Sequence, residues 1–251
     1  MAGHSHWAGI KHKKALIDNK RGKIWSKIAK AIMVAAKMGG GDPTTNARLR
    51  VPLADARAAR MPKDNIERAI KKGTGELEGS DVEEIIYEGY GPGGVAIMCE
   101  ILSDNRNRTA PELRKIFEVN GGKLGSTGCV AYLFQRKSLV VIRADQTKED
   151  ALMEIALESG ADDIENQGES FQVLCEPDTY ADLLEALERA QVEPVVKQVT
   201  RIPNTTVDLD ADTGRKVLKL LEALDDHDDV QNVSANFNLS DEIMAELASE
   251  A

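Results

Sequence analysis

The stretch from 138 to 201, SLVVIRADQTKEDALMEIALESGADDIENQGESFQVLCEPDTYADLLEALERAQVEPVVKQVTR, decides how this chain is organised. Short apolar and β-branched runs predict strands at 139–143, 162–166, 171–175 and 195–201. Between them Leu and Ala recur at three- and four-residue steps, which predicts helices over 148–158 and 178–190. The order strand, helix, strand, strand, helix, strand is the ferredoxin-like split βαβ arrangement.

The flanks supply a second α+β block. VEEIIYEGY and VAIMCEILS sit on either side of Gly-Pro-Gly-Gly at 91–94 and read as a hairpin. A helix is expected over about 110–119, with Thr109 and Glu112 as its capping box, and CVAYLF at 129–134 as a further strand. Beyond 204 come a strand at 205–208, a helix at 213–225, a strand at 230–237 and a short helix at 240–248. These are too few elements to bury a core alone, so they should complete the earlier block.

Ahead of both lies a helical segment. Ile24, Ile28, Ala31, Ile32 and Ala35 define an apolar face that ends at Gly39-Gly40-Gly41, and Lys20, Lys23, Lys27 and Lys30 form a second stripe beside it. A second helix is expected over 44–60, kinked or restarted near Pro52, and a third from a capping Asp64, answered by Glu67, to Gly73. The fold class is therefore α+β in three domains: a three-helix bundle at 20–78, a discontinuous α+β domain of 79–134 plus 205–251, and a ferredoxin-like domain at 135–204 inserted in it. Residues 1–19 show no sustained periodicity and read as a basic arm.

At 251 residues and 42% hydrophobic content the chain can form packed cores. The formal net charge of -10 hides an asymmetry: residues 1–75 hold 17 Lys or Arg against 5 Asp or Glu, and the remainder 15 against 37. A basic segment on an acidic body suits a polyanionic partner. Trp7 and the stripe of Lys20, Lys23, Lys27 and Lys30 are candidate contacts in this segment. Arg57, Arg60, Arg68, Lys71 and Lys72 share the helices with few acids nearby. Arg106 and Arg108 form a second patch, just ahead of a helix whose first amides suit an anion.

Other chemistries find little support. Cys99, Cys129 and Cys175 form no CxxC pair and read as thiols of a reducing compartment. Ala2-Gly3-His4 could bind Cu(II) or Ni(II) once Met1 is removed, but no carboxylate lies nearby to complete a catalytic site. DDHDD at 225–229 lacks the ligand alternation of a calcium loop and reads as a solvated helix end. No nucleophile or metalloprotease motif occurs, so no enzyme, metal or cofactor is expected. The longest apolar run, AIMVAA at 31–36, cannot span a bilayer, and no secretory signal precedes it, so the expected location is cytoplasmic, away from membranes.

Seven segments, MAGHSHWAGIKHKK, RGKIWSKIAKAI, GGGDPTTNARLR, MPKDNIERAIKKGTGE, YEGYGPGGVAIM, SDNRNRTAPELRKIF and GSTGCVAYLF, together resemble the YebC family, which includes the mitochondrial translational activator of cytochrome c oxidase. The resemblance implies three domains, with nucleic acid as the partner, and carried over by motif it makes Lys11, His12, Lys13, Lys14, Lys20, Arg21, Lys23, Arg48 and Arg50 the candidate contacts, with Arg106 and Arg108 as a second patch. It also implies a regulatory role, either as a DNA-binding transcriptional regulator or as a translation factor on ribosomal RNA and the ribosome. His6 stands where relatives commonly carry Lys, and Cys129 where many carry Ser. A protein-binding adaptor without nucleic-acid contact is the alternative, with a metal-assisted hydrolase behind it.

Overall fold

The structure, a computed structural model, describes residues 21–79, 81–240 and 242–243. Helices α1 (Arg21–Gly39), α2 (Ala47–Ala58) and α3 (Lys63–Gly73) come first, then β1 (Glu83–Tyr90), β2 (Ala96–Ser103), α4 (Arg106–Val119) and β3 (Lys123–Leu124). There follow β4 (Phe134–Arg143), α5 (Glu149–Glu158), β5 (Ala161–Asn166), β6 (Ser170–Cys175), α6 (Tyr180–Arg189) and β7 (Val196–Pro203). The described chain closes with β8 (Val207–Asp208), α7 (Ala211–Asp225), β9 (Val230–Ala235) and β10 (Phe237–Asn238). Contacts divide it into two units, one spanning 19–131 with 210–233 and the other 132–209 with 234 onward.

In the first unit, Ile32 and Ala35 of α1 meet Leu49, Leu53, Ala56, Met61 and Ala69 in one apolar cluster, edged by Trp25, Ile28 and Met33. Gly40 adopts a left-handed φ of 84° where α1 stops, and the Asn46 amide donates to the carbonyls of Ala35 and Gly40, both at 2.8 Å. Gly73 allows the close approach of α3 to α1, because a Cβ there would lie 2.3 Å from the Met33 carbonyl oxygen. Two helix expectations need correction. α2 runs through Pro52, whose ring is buried, without a restart; α3 begins at Lys63 behind Pro62, whose φ of -57° suits helix entry, and Asp64 makes no side-chain cap.

The sheet of this unit has the order β3-β1-β2-β9, and β1 pairs antiparallel with β2 from Glu83↔Ser103 to Tyr90↔Ala96. The Gly-Pro-Gly-Gly segment is the hairpin turn expected for it. α4 and α7 pack against each other, and Val34 of α1 clusters with Val82 and Leu102. The strand expected at 129–134 is absent: residues 131–133 form a single 3-10 turn, and the strand starts only at Phe134. Buried Glu88 explains why. Its carboxylate accepts from the amides of Gly128 (2.6 Å), Val130 (2.7 Å) and Ala131 (2.8 Å), which are then not available to a ladder.

The second unit contains a sheet of order β5-β6-β4-β7 in which every neighbouring pair is antiparallel. That is the ferredoxin-like order read from 138–201. α5 and α6 contribute Leu152, Ala156, Leu183 and Leu187 to a core with Val140, Ile142, Phe171 and Val173. β8 and β10 form a separate parallel pair, and the helix expected at 240–248 lies largely outside the described residues.

α4 starts at Arg106, four residues earlier than expected, because Asn105 caps it by accepting from the Arg108 amide at 3.1 Å. Thr109, expected as the cap, is buried inside the first unit, and its hydroxyl donates to Asp229 at 2.7 Å. Asp229 is 1% exposed and collects four donors: Thr109, Ser103 (3.1 Å), Arg108 (2.8 Å) and Lys30. Burial alone would push this carboxyl up. Hydrogen bonds from Lys30, Thr109 and Arg108, with the Lys30 charge, hold it well below the usual aspartate range instead. One carboxylate thereby joins α1, β2 and α4.

Two outcomes are expected from these buried carboxylates. Glu88→Gln replaces an acceptor with a donor facing backbone N–H groups and should cost about 2–3 kcal/mol in urea unfolding. Asp229→Asn should cost about 2–4 kcal/mol at neutral pH, since two cations lose their shared partner. Because the folded Asp229 pKa is depressed, its contribution is present above the unfolded value of about 3.9 and fades as pH falls towards the folded one. The stability gap between Asp229→Asn and the parent chain should therefore narrow in acid; a constant gap between pH 7 and pH 3 would refute the assignment.

Candidate nucleic-acid interface

The structure sorts the basic residues into those engaged within the chain and those facing solvent. Trp7, Lys11, His12, Lys13, Lys14 and Lys20 lie outside the described residues, as do the arm and the Ala2-Gly3-His4 motif, and for Arg21 only the helical backbone is described. The lysine stripe of α1 does not offer its charge to solvent as expected. Lys23 donates to the Asp226 carbonyl at 3.0 Å, and Lys27 to the Asp225 carbonyl at 2.5 Å, with the Asp225 carboxylate 3.9 Å away. Lys30 reaches the Asp228 carbonyl at 3.2 Å and the Asp229 carboxylate. The end of α7 supplies carbonyls and acids together, and cations are stabilised at such a terminus.

DDHDD is a solvated end only in part, since Asp226 and Asp228 are exposed. Asp229 is buried, and His227 bridges Glu112 at 2.9 Å through Nε2 while its Nδ1 accepts from the Asp229 amide at 3.1 Å. The anion expected at the start of α4 is likewise the protein's own. Arg108 binds Asp229 and, at 3.2 Å, Asp104, and the Asp229 hydrogen bond raises its pKa first of all. Arg106 stands 3.9 Å from Glu83, Arg48 pairs with Glu84, and Arg50 donates to the carbonyls of Pro43 (2.9 Å) and Thr44 (3.1 Å).

Lys23, Arg48, Arg50, Arg106 and Arg108 are exposed as well as engaged; a different set is exposed without such partners. Arg57, Arg60, Arg68, Lys71 and Lys72 are exposed and have no ion-pair partner among the described residues, while Lys63 meets Glu67 at 3.6 Å. All lie at the end of α2 or on α3. Arg60 holds a left-handed φ of 52° in the α2–α3 turn, where Met61 closes back on the Ala56 carbonyl at 2.8 Å. Glycine is the usual residue for that conformation, and a side chain there costs about 1–2 kcal/mol.

Beside this face α1 and α3 enclose a groove of about 300 Å³. Trp25, Ala29, Met33, Met61 and Ala69 give it apolar walls, Ser26 and Asn65 give it polar groups, and Arg68 and Lys72 are its cations. Trp25 is held in place by its Nε1–H, which donates to the Ala59 carbonyl at 3.0 Å. Sequence reading named the cations of α3 but not this groove. The i, i+4 spacing of Arg68 and Lys72 was visible; the approach of α1 that makes a wall opposite them was not.

No described helix is long and apolar enough to cross a membrane, and no group of three or more His, Cys, Asp or Glu among the described residues could hold a metal ion.

Comparison with known proteins agrees with this architecture. Residues 5–76 match the model of the TACO1/YebC protein N-terminal domain, and residues 82–237 that of the TACO1/YebC second and third domain. A "probable transcriptional regulatory protein" of Rhodopirellula baltica is 58% identical over 98% of this chain and 100% of its own length. One of Treponema denticola is 54% identical over 95% and 97%. The crystal structure of a conserved hypothetical protein from Aquifex aeolicus matches with a TM-score of 0.86 at 48% identity, covering 95% of this chain and 99% of that one. With both family models matched along nearly the whole chain, the protein belongs to the TACO1/YebC family.

Proposed function

We propose that this protein is a non-catalytic regulator of gene expression that binds the phosphates of nucleic acid through the exposed cations of α2 and α3, and that it works in the cytoplasm. The observation that carries this reading is the group of Arg57, Arg60, Arg68, Lys71 and Lys72, outward-facing on neighbouring elements and without ion-pair partners among the described residues. Cations on a protein surface gain most when they displace counterions condensed on a polyanion. Arg60 adds weight, since a strained backbone position keeps a charged side chain there where glycine would fit better. Lys11, Lys13 and Lys14 of the preceding segment extend the same charge in sequence.

The acidic remainder, 37 Asp or Glu against 15 Lys or Arg, repels phosphate and so orients the encounter. The relatives' names make transcription the first process to test and duplex DNA the first ligand; ribosomal RNA, which would serve a translation factor, is the second. Contacts of this type position the polymer without reading bases, so affinity should exceed sequence discrimination.

The test is a fluorescence-anisotropy titration over a salt series, with duplex DNA and with a ribosomal RNA fragment. If five cations each meet a phosphate on duplex DNA, log K should fall against log salt with a slope of about -4 to -5. Replacing Arg57, Arg60, Arg68, Lys71 and Lys72 with Gln should flatten that slope while leaving the melting temperature nearly unchanged, because exposed unpaired side chains contribute little to stability. Salt-independent binding, or an unaltered slope in the variant, would overturn the reading and favour an adaptor that docks on protein.

A further inference from the structure

We propose that the groove between α1 and α3 receives one unstacked base of a single-stranded segment, with the flanking phosphates on Arg68 and Lys72. This rests on the nucleic-acid reading above and adds to it a ligand form: strand-separated rather than fully paired polymer. The groove combines three properties that a plain phosphate-binding surface lacks. It is concave and walled by apolar side chains, so a flat, weakly hydrated ring gains by entering it. One wall is an indole, whose π-face stacks on any base, and its hydrogen bond to Ala59 holds it there at little further entropic cost. Its cations, Arg68 and Lys72, stand one helical turn apart on the same face of α3.

Polar groups inside the groove fit the same occupant. Asn65 offers both a donor and an acceptor, the combination that base edges require. The Ser26 hydroxyl donates to the Gly22 carbonyl at 3.1 Å and keeps lone pairs that can accept from a base amino group. A duplex keeps its bases stacked and presents only backbone to a groove of this size; a loop, bulge or melted segment exposes them. An acidic peptide would satisfy both the cations and the apolar wall only with an aromatic residue set beside its carboxylates, whereas every nucleotide carries a flat ring and an anion in one unit. Charge complementarity and the indole together select a nucleotide.

The experiment compares single-stranded oligonucleotides of equal length and phosphate number, one intact and one carrying abasic sites, alongside the corresponding duplex. Trp7→Phe leaves Trp25 as the only tryptophan, and this variant serves as its own reference. Intact single strand should bind at least about 5-fold tighter than the abasic strand and should quench Trp25 fluorescence, which the abasic strand should not do. Arg68→Gln with Lys72→Gln should weaken both strands. Asn65→Ala should narrow the difference between them, a readout that general loss of charge would not move.

Equal affinity for intact and abasic strands, or preference for duplex, would overturn the base-binding groove while leaving the phosphate-binding reading intact. Absence of binding to any of the three polymers would overturn both. Trp25→Ala is informative only if its thermal unfolding remains cooperative. The abasic comparison on the otherwise unchanged chain decides the matter in either case.

Discussion

A carboxylate can be taken out of water only where other donors replace its hydration, and Asp229 imposes that requirement on the first unit through cations and hydroxyls. It draws Lys30 from α1, Arg108 and Thr109 from α4, and Ser103 from the end of β2. The neighbouring carbonyls of Asp225, Asp226 and Asp228 take up what donors remain on that side of α1. The lysine stripe of α1 is thereby a structural seam. Arg57, Arg60, Arg68, Lys71 and Lys72 take no part in it.

This division explains which parts of the sequence were legible. The ferredoxin-like unit could be read because its helices bury one face each while its central strands are short continuous apolar runs, and the sheet order follows from the sequence of elements. The α1 apolar stripe was legible for the same reason. Its lysine stripe was misread because the partner, the 225–229 segment, is nearly 200 residues away, and a periodic charge pattern looks the same whether it faces water or a distant carboxylate. DDHDD failed symmetrically: five polar residues suggest solvent, and only the fold shows that Lys30 and Arg108 compensate Asp229.

The misplaced elements share a single cause as well. CVAYLF has the composition of a strand, but Glu88, forty residues upstream, captures three amides that a strand would need. Thr109 has the spacing of a helix cap, but Asn105 occupies that role and Thr109 serves Asp229 instead. In both cases a carboxylate brought near by tertiary structure, Glu88 or Asp229, takes the group that the local reading assigned elsewhere, although the Asn105 cap itself lies among the neighbouring residues. Such competition leaves no trace in a window of neighbouring residues.

The same discipline applies to the face proposed for nucleic acid, because some of its cations have local reasons to exist. Lys71 and Lys72 sit in the last turn of α3, where positive charge stabilises the helix end, and Asp64 in the first turn mirrors them. Arg57 stands in the last turn of α2 in the same way, so helix electrostatics accounts for three of the five side chains without any ligand. It does not account for Arg68, which lies in the middle of α3 at the wall of the groove, nor for Arg60, whose left-handed backbone would be easier to form with glycine. Arg68 gains nothing from a helix terminus; Arg60, just past the α2 C-cap Ala59, shares the charge of that end but bears the backbone cost, and neither side chain has a described acid to pair with. A polyanionic partner is favoured most firmly by Arg68, which stands where an indole, an asparagine amide and an apolar pocket also converge.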